Sequence, residues 1–256
     1  MKIYVCVKHV PDTAADITPT DATHIDEDIT FIVNPYDEYA IEEAVLLKER
    51  FESAELVAVT LGENAAEETL RSALAMGADR GILIHSQTPV DSLITAAALK
   101  AAIEQDGPAD IVFTGKESID SEGFQTMYRL GALFGWPVAS NVVAFSMDRN
   151  NVRVECDMAA GERQVIEMAA PCIIGAAKGL NEPRYPMLSA IVKANRKEIN
   201  TIELADLQFE QPTGRIETIW LTPAVEKRHP KELTGTPGEV ADKIIQILRK
   251  EANVLQ

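Results

Sequence analysis

A polar turn in the middle of the chain, residues 115–126, carries the side chains best suited to binding chemistry. The turn follows an apolar run, "DIVFTG", and precedes a helical pattern, which is the order of a nucleotide-binding turn. It nevertheless contains three acids, Glu117, Asp120 and Glu122, against one cation, Lys116. Charged side chains therefore do not explain how such a turn would hold a phosphate.

Backbone amides offer another way to bind an anion at this turn. The first N–H groups of a helix have no internal partner and lie at the positive end of the helix dipole. We expect the helix to begin near Glu122, with Gly123 allowing close approach to the backbone. Asp120 would cap this helix or accept hydrogen bonds from ribose hydroxyls. A capped helix start without a ligand explains the same residues, and the sequence leaves both interpretations open.

The segment "NPYD", residues 34–37, is a second candidate of the same kind. Asn34 has the type and position of a helix N-cap, with Pro35 at the first helical position and Asp37 in the first turn. A capped helix accounts for all of this. The segment also lies where Asn34 and Tyr36 would contact an adenosine.

Other catalytic and binding motifs are missing from the sequence. A Walker A loop requires glycine at position 110, which is Asp, and Ser or Thr at position 117, which is Glu. No G-x-G-x-x-G follows the first strand. The four histidines are far apart and show no metal-ligand spacing. No Ser–His–Asp or Cys–His signature indicates a hydrolytic site.

The elements that position these residues alternate between strand and helix over the first 136 residues. This alternation predicts an α/β fold with a mainly parallel, Rossmann-like sheet and helices on both faces. Ligands in such folds bind at the carboxyl ends of the strands. The polar breaks after Val7, Leu61 and Thr114 all fall at that edge.

The second half of the chain has a different pattern. Four strand-like runs between residues 138 and 178, the last two split by Pro171, predict a β-ribbon appended to the sheet. From residue 198 prolines interrupt the pattern until a terminal helix. We therefore predict a nucleotide-binding domain over 1–197 and a C-terminal arm over 198–256, which either wraps a partner or is a surface tail.

Composition limits the class of protein. A net charge of −16 argues against binding nucleic acid or anionic membranes. No apolar run approaches the roughly 20 residues of a membrane span. The N-terminus lacks a signal-peptide layout, which predicts a cytoplasmic location. Cys6, Cys156 and Cys172 are odd in number and widely spaced, so we expect reduced, buried thiols.

Five segments together resemble the β (small) subunit of electron transfer flavoprotein, over essentially the whole chain. They are "VCVKHVPD" (5–12), "NPYDEYAIEEAVLLKE" (34–49), "LRSALAMGADRGI" (70–82), "GKESIDSEGFQT" (115–126) and "GLNEPRYPMLSAIVKANRK" (179–197). The last two are the most specific.

The resemblance implies an electron-carrier subunit, not an enzyme, in a heterodimer with a larger α subunit. It implies an adenine-nucleotide-hydrolase-like fold that holds a structural AMP, with FAD mainly on the α subunit. Electrons would come from an acyl-CoA dehydrogenase or similar flavoenzyme and pass to a quinone-linked oxidoreductase. Carried over by position, the nucleotide contacts are Cys6, Asn34, Pro35, Tyr36, Asp37, Leu61, Gly115, Lys116, Glu117, Ser118, Ile119, Asp120, Ser121, Glu122, Gly123, Phe124, Gln125 and Thr126.

The segment 179–197 resembles the loop that docks on dehydrogenase partners, with Leu188 at the anchoring position. From Arg184 to Lys197 it has four cations and no acid, which suits an acidic partner surface. The alternative is a solvated helix whose Leu188, Ile191 and Val192 pack on the chain's own core. The implied partner contacts are Arg184, Tyr185, Leu188, Ile191, Lys193 and Arg196.

Two other functions remain open. Electron-bifurcating members of the family hold a second FAD in place of AMP and take electrons from NADH. They often contain "VPDT" and "NPYD", which both occur here, but their turn resembles "GRQAIDGDTAQVGP", and this chain has "GKESIDSEGFQTMYRLG". The third function is a stand-alone adenine-nucleotide sensor or enzyme without an α partner.

Overall fold

A computed structural model describes residues 1–26, 28–51, 53–210, 216, 218–223 and 230–250. The chain forms two compact units, Met1–Trp220 and Leu221–Gln256. The strands are β1 (Lys2–Cys6), β2 (His9–Pro11), β3 (Phe31–Val33), β4 (Glu55–Gly62), β5 (Arg80–His85), β6 (Ile111–Gly115), β7 (Val138–Asp148), β8 (Asn151–Asp157), β9 (Arg163–Ala169), β10 (Cys172–Ala176) and β11 (Ile199–Glu203). The helices are α1 (Pro35–Arg50), α2 (Glu67–Met76), α3 (Ser92–Asp106), α4 (Thr126–Phe134), α5 (Leu188–Ala194) and α6 (Pro237–Lys250).

The predicted α/β fold is confirmed. Nine strands form one sheet in the order β11-β5-β4-β1-β6-β10-β7-β8-β9. All neighbouring pairs from β11 to β7 are parallel. Side chains that alternate along the strands build two cores, one with α1 and α2 and the other with α3 and α4. This layering brings the carboxyl ends of β1, β4 and β6 together at one edge.

The prediction of the β-ribbon was correct for three of its four runs. β7, β8 and β9 pair antiparallel as predicted. β10 was wrongly placed in the ribbon, because it lies parallel between β6 and β7. All five of its residues are buried, as expected for an interior strand covered on both faces. A separate two-stranded ribbon of β2 and β3 was not predicted.

The segment after residue 197 begins with a strand of the main sheet. β11 pairs in parallel with β5, from Ile199 opposite Gly81 to Glu203 opposite His85. A domain boundary at residue 198 would separate β11 from the sheet, and the first compact unit continues to Trp220. The predicted terminal helix is confirmed as α6. That the C-terminal segment wraps a partner stays a prediction.

Two further sequence predictions concern the thiols and the membrane. Cys6, Cys156 and Cys172 are free and buried, as expected. Burial raises the pKa of the Cys6 and Cys172 thiols to about 12, which keeps both protonated. Among the described residues, every helix is too short or too polar to cross a bilayer.

Candidate functional site

Asn34 connects the start of α1 to the polar turn. It occupies the N-cap position before Pro35, as predicted, but its side chain makes no capping hydrogen bond to its own helix. Its Nδ2 instead donates to the Glu117 carbonyl at 2.9 Å, and its Oδ1 accepts from the Ile119 N–H at 3.1 Å. The Asn34 side chain therefore fixes the backbone of the turn.

Asp37 makes a second connection one turn further along α1. Its carboxylate accepts the Lys8 N–H at 2.7 Å and the Gly115 N–H at 2.9 Å, so it joins the end of β1 to the end of β6. Gly115 is required at this contact. A Cβ there would overlap the Asp37 Oδ1 and lie 2.8 Å from the Tyr36 Cβ. The "NPYD" segment thus fixes the segment after β1, the end of β6 and the polar turn relative to one another.

Cations from two segments balance the acids of the turn. Lys116 lies 2.8 Å from a Glu117 carboxylate oxygen. The Lys8 Nζ lies 2.6 Å from the Asp120 Oδ2 and 3.3 Å from the Ser118 Oγ. Burial would raise the pKa of the Asp120 carboxyl, but the Lys8 ammonium and the hydrogen bonds to the carboxylate together outweigh burial and hold that pKa below its usual value. Lys8 was not among the predicted site residues, although it follows the first strand at the correct edge.

The predicted start of the helix after the turn was wrong. α4 begins at Thr126 with Gln125 at the N-cap position, and not near Glu122. Glu122 and Phe124 have positive φ angles of 46° and 50°, and left-handed residues cannot continue an α-helix. The Asp120 carboxylate pairs with Lys8, and the residue lies six positions before α4. Around Gly123 an added Cβ would meet no atom within 4 Å, so the backbone is open to a ligand there.

Aromatic rings lie over the same turn. The Lys116 Nζ is 4.8 Å from the centroid of the Tyr36 ring and 5.9 Å from that of Phe124. Phe124 in turn packs against Tyr128 of α4, with ring centroids 5.8 Å apart. The site therefore combines hydrogen-bonded backbone with flat apolar surfaces, and both features suit a nucleotide.

A buried hydroxyl of the same edge has no partner in the described part of the chain. Thr114 precedes Gly115 at the end of β6, and its Oγ1 makes no hydrogen bond there. Such a group usually pairs with water or a ligand. Cys6 lies buried at the end of β1, close enough for Asp37 to influence its pKa. Leu61, in β4, is further along the edge and packs on the α3 and α4 core.

Asp37 should give the protein a measurable pH dependence. Burial raises the pKa of its carboxyl from 3.8 to about 7, despite the hydrogen bonds from Lys8 and Gly115. Between these two pH values the folded chain keeps a proton on Asp37 that the unfolded chain has already released. This contribution to stability is therefore present below pH 4 and is lost as the pH rises through 7. As the pH rises, we expect the unfolding free energy of the wild type to decrease relative to that of Asp37→Asn by up to about 1.4 kcal/mol per pH unit. Urea unfolding from pH 4.5 to 7.5 checks this, and parallel curves would contradict it.

The segment 179–197 exposes its apolar side chains. The side chains of Tyr185 and Leu188 are 98% and 76% exposed, and Ile191 and Val192 are exposed as well. The alternative in which these residues pack on the chain's own core is therefore wrong. α5 covers only part of the segment, because it begins at Leu188.

Only some of the predicted partner-binding cations are free to meet a partner. Arg184 pairs with Glu42 and Glu49 of α1. The Lys197 Nζ donates to the carbonyls of Leu74 and Ala78, at 2.9 and 2.5 Å. Lys193 and Arg196 make no ion pair within the described residues. The positive charge available to a partner is therefore smaller than the sequence suggested.

The fold and this edge define a class of protein, a parallel α/β domain with a structured binding edge at the carboxyl ends of its strands. A profile of the electron transfer flavoprotein domain matches residues 22–207. The chain is 33% identical to the electron transfer flavoprotein subunit beta of Bacillus subtilis and 34% identical to the mitochondrial one of Arabidopsis thaliana, covering all of each chain. It is 37% identical to that of Syntrophomonas wolfei over 80% of this chain and 81% of the relative.

The chain belongs to the electron transfer flavoprotein β-subunit family. This confirms the resemblance on which the expected site residues rest. The relatives are named as β subunits, which implies an α subunit as partner.

Proposed function

We propose that this chain is the small subunit of a heterodimeric electron transfer flavoprotein and that it binds AMP at the edge formed by β1, β6 and α1. The observation that carries the proposal is that the side chains of Asn34 and Asp37 form hydrogen bonds with the backbone of the polar turn. A turn held in this way presents its free N–H groups in a fixed arrangement. These N–H groups can hold a phosphate without a cationic pocket, so the acidic side chains of the turn are compatible with phosphate binding.

The residues present fit an adenine nucleotide. The open backbone at Gly123 admits a phosphate, and the unpartnered Thr114 hydroxyl supports a polar ligand or an ordered water at this edge. Tyr36 and Phe124 supply flat surfaces for a base or sugar. Because the Asp120 carboxylate pairs with Lys8, it would have to keep this ion pair while it also accepts a hydrogen bond from a ribose hydroxyl. AMP contributes structure at this site and no redox chemistry.

Electron transfer itself depends on FAD, which we assign mainly to the α subunit. FAD would supply the group that takes up and gives off electrons, and the β chain would help to hold it beside the partner proteins. The proposed donor is an acyl-CoA dehydrogenase or a similar flavoenzyme, and the proposed acceptor is a quinone-linked oxidoreductase. We propose a cytoplasmic location for this chain, although the Arabidopsis relative is named as mitochondrial.

The second candidate is an electron-bifurcating subunit that holds FAD in place of AMP and takes electrons from NADH. The "VPDT" and "NPYD" segments favour it, and the second of these provides the Asn34 and Asp37 contacts described above. The segment "LNEPRYPML" (180–188) resembles the AMP-type, dehydrogenase-docking members of the family and favours the AMP form instead. We propose AMP.

Extraction of the nucleotides from the purified heterodimer tests this proposal. One FAD and one AMP per heterodimer is the expected result. Two FAD and no AMP would establish the bifurcating alternative. A chain that purifies without any larger flavin-bearing subunit, yet retains an adenine nucleotide, would instead be a stand-alone sensor or enzyme.

Replacing Gly123 by Asp should weaken nucleotide retention. The Cβ of the new side chain meets no atom within 4 Å, and its charge lies where the phosphate approaches. We expect retention to fall about tenfold, or about 1.4 kcal/mol, with the melting temperature of the nucleotide-free protein unchanged. Gly123→Asn is the matched control, because it has the same shape without the charge. Equal AMP content in the two variants would place the phosphate elsewhere.

The exposed apolar residues of 179–197 support docking on a dehydrogenase, and α6 supports binding to the α subunit. α6 has no buried residue, yet Val240, Ile244 and Leu248 recur on one helix face. A helix with such a face needs a partner surface to bury it. Limited proteolysis of the β chain alone and in the heterodimer tests this, since α6 should be protected in the complex.

A further inference from the structure

The exposed docking residues lie between anchors that fix their position, and the first anchor is Asn181. Its Nδ2 donates to the Tyr39 carbonyl and to the Glu43 Oε2, both at 3.0 Å. Both acceptors belong to α1, whose first turn also carries Asp37. The beginning of the segment is therefore fixed on a helix that already serves the candidate nucleotide site.

The second anchor is Arg184, which lies immediately before the exposed Tyr185. Its Nε and Nη2 donate to the two oxygens of Glu42, at 2.8 and 2.9 Å, and its Nη1 donates to Glu49 at 2.7 Å. The Arg184 backbone N–H also donates to Glu42, at 3.1 Å. The Glu42 side chain is only 6% exposed, so its charge depends on Arg184 for compensation. This forked contact fixes both the backbone and the side chain of residue 184.

The third anchor closes the other end of the segment. The Arg71 Nη1 donates to the carbonyl of Ala194, the last residue of α5, at 2.9 Å and to that of Lys197 at 2.8 Å. The Lys197 Nζ donates to the carbonyl of Leu74, in the last turn of α2, and to that of Ala78, just after α2. The apolar residues from Tyr185 to Val192 are thus held at both ends and left uncovered between them.

We infer that Arg184 is a positioning residue, which holds Tyr185 and Leu188 in the geometry that the dehydrogenase recognises, and that Glu42 acts through it. This inference rests on the docking function proposed above. It corrects the expectation that Arg184 meets the partner with its own charge, because its guanidinium is already engaged by two carboxylates. A pre-ordered segment saves the free energy of ordering these side chains when the partner binds.

Two single changes in the heterodimer test the inference. Arg184→Lys keeps the charge but loses the fork, and Glu42→Gln removes a carboxylate too buried to touch a partner. The assay follows reduction of the bound flavin at increasing concentrations of a purified acyl-CoA dehydrogenase supplied with its acyl-CoA. We expect each change to raise the half-saturating dehydrogenase concentration about tenfold, since Tyr185 and Leu188 must then be ordered on binding. The maximal rate and the flavin spectrum should stay as in the wild type.

The sign of the Glu42→Gln effect separates positioning from charge. Removing an acid beside a cationic segment would by itself strengthen attraction to an acidic partner, so weaker docking reports lost geometry. Glu182→Gln is the control, because it makes the same charge change at an exposed neighbour and should leave docking unchanged. The double variant Arg184→Lys with Glu42→Gln should dock no worse than either single variant.

Several outcomes would overturn the inference. The inference fails if Glu42→Gln docks as well as the wild type. It also fails if Arg184→Lys docks as well as the wild type while Arg184→Ala docks weakly. In either case Arg184 is a charge contact or an ordinary surface residue. If Glu42→Gln does not fold, Glu49→Gln at the more exposed carboxylate replaces it in the test. Amide hydrogen exchange of residues 185–193 in Glu49→Gln should then be faster than in the wild type. Unchanged docking in Leu188→Ala would instead reject the docking function itself.

Discussion

Gly115→Ala is expected to lower the unfolding free energy by about 3 kcal/mol and to abolish nucleotide retention. The added Cβ would overlap the Asp37 Oδ1 and lie 3.0 Å from the Asp37 N–H nitrogen. Overpacking of this kind typically costs 1–3 kcal/mol. Separating Asp37 from the Gly115 N–H breaks a hydrogen bond, which adds about 0.5–1.5 kcal/mol. The end of β6 must move, and the polar turn moves with it.

Urea unfolding and AMP content, measured on the same preparation, check this prediction. Gly123→Ala is the matched control, because it adds the same methyl group to the same turn where no atom lies within 4 Å. Its stability should stay within about 0.5 kcal/mol of the wild type. A Gly115→Ala protein that is as stable as this control and retains AMP would show that Asp37 does not organise the site.

Leu188→Ala is expected to weaken docking on the dehydrogenase about thirtyfold and to leave stability nearly unchanged. Removing a buried anchor from an interface typically costs about 2 kcal/mol or more, which corresponds to this factor. The side chain is 76% exposed in the chain alone, so its loss leaves no cavity in the core. The flavin spectrum and the AMP content should also be those of the wild type.

Melting temperature and dehydrogenase-coupled flavin reduction on one preparation separate the possible results. Ala190→Gly is unsuitable as a control because it changes helix propensity, whereas Ser189→Ala changes a neighbouring exposed residue of α5 without removing apolar surface. A loss of stability of 2 kcal/mol or more in Leu188→Ala would indicate a core position. Unchanged docking would remove the segment from the partner interface.

The sequence by itself determined the class of fold and the location of the candidate site. Alternation of strand and helix patterns specified a parallel sheet, because parallel strands require crossover helices. That topology places the carboxyl ends of the strands at one edge of the sheet, whereas the pairing of β1 with β6 is known only from the structure. The N-cap position of Asn34 and the start of α1 at Pro35 were also readable from sequence, since helix ends have local requirements.

Tertiary structure alone decided what the polar side chains bind. Asn34 looks like a helix cap in sequence, yet it holds residues 117 and 119, more than eighty positions away. Lys8 and Asp120 are equally remote in sequence, so a count of charges within the turn missed their ion pair. Hydrogen bonds and ion pairs form between neighbours in space, and local patterns report only neighbours along the chain.

Burial across the sheet decided the remaining differences. β10 and the ribbon strands all consist of short apolar runs, and only the pairing of β10 with β6 and β7 distinguishes an interior strand from a ribbon. Likewise, the spacing of Leu188, Ile191 and Val192 predicts one helix face but cannot say whether protein or solvent covers it. The anchors from α1 and α2 hold α5 with that face uncovered, and this placement makes the segment a docking surface in our proposal.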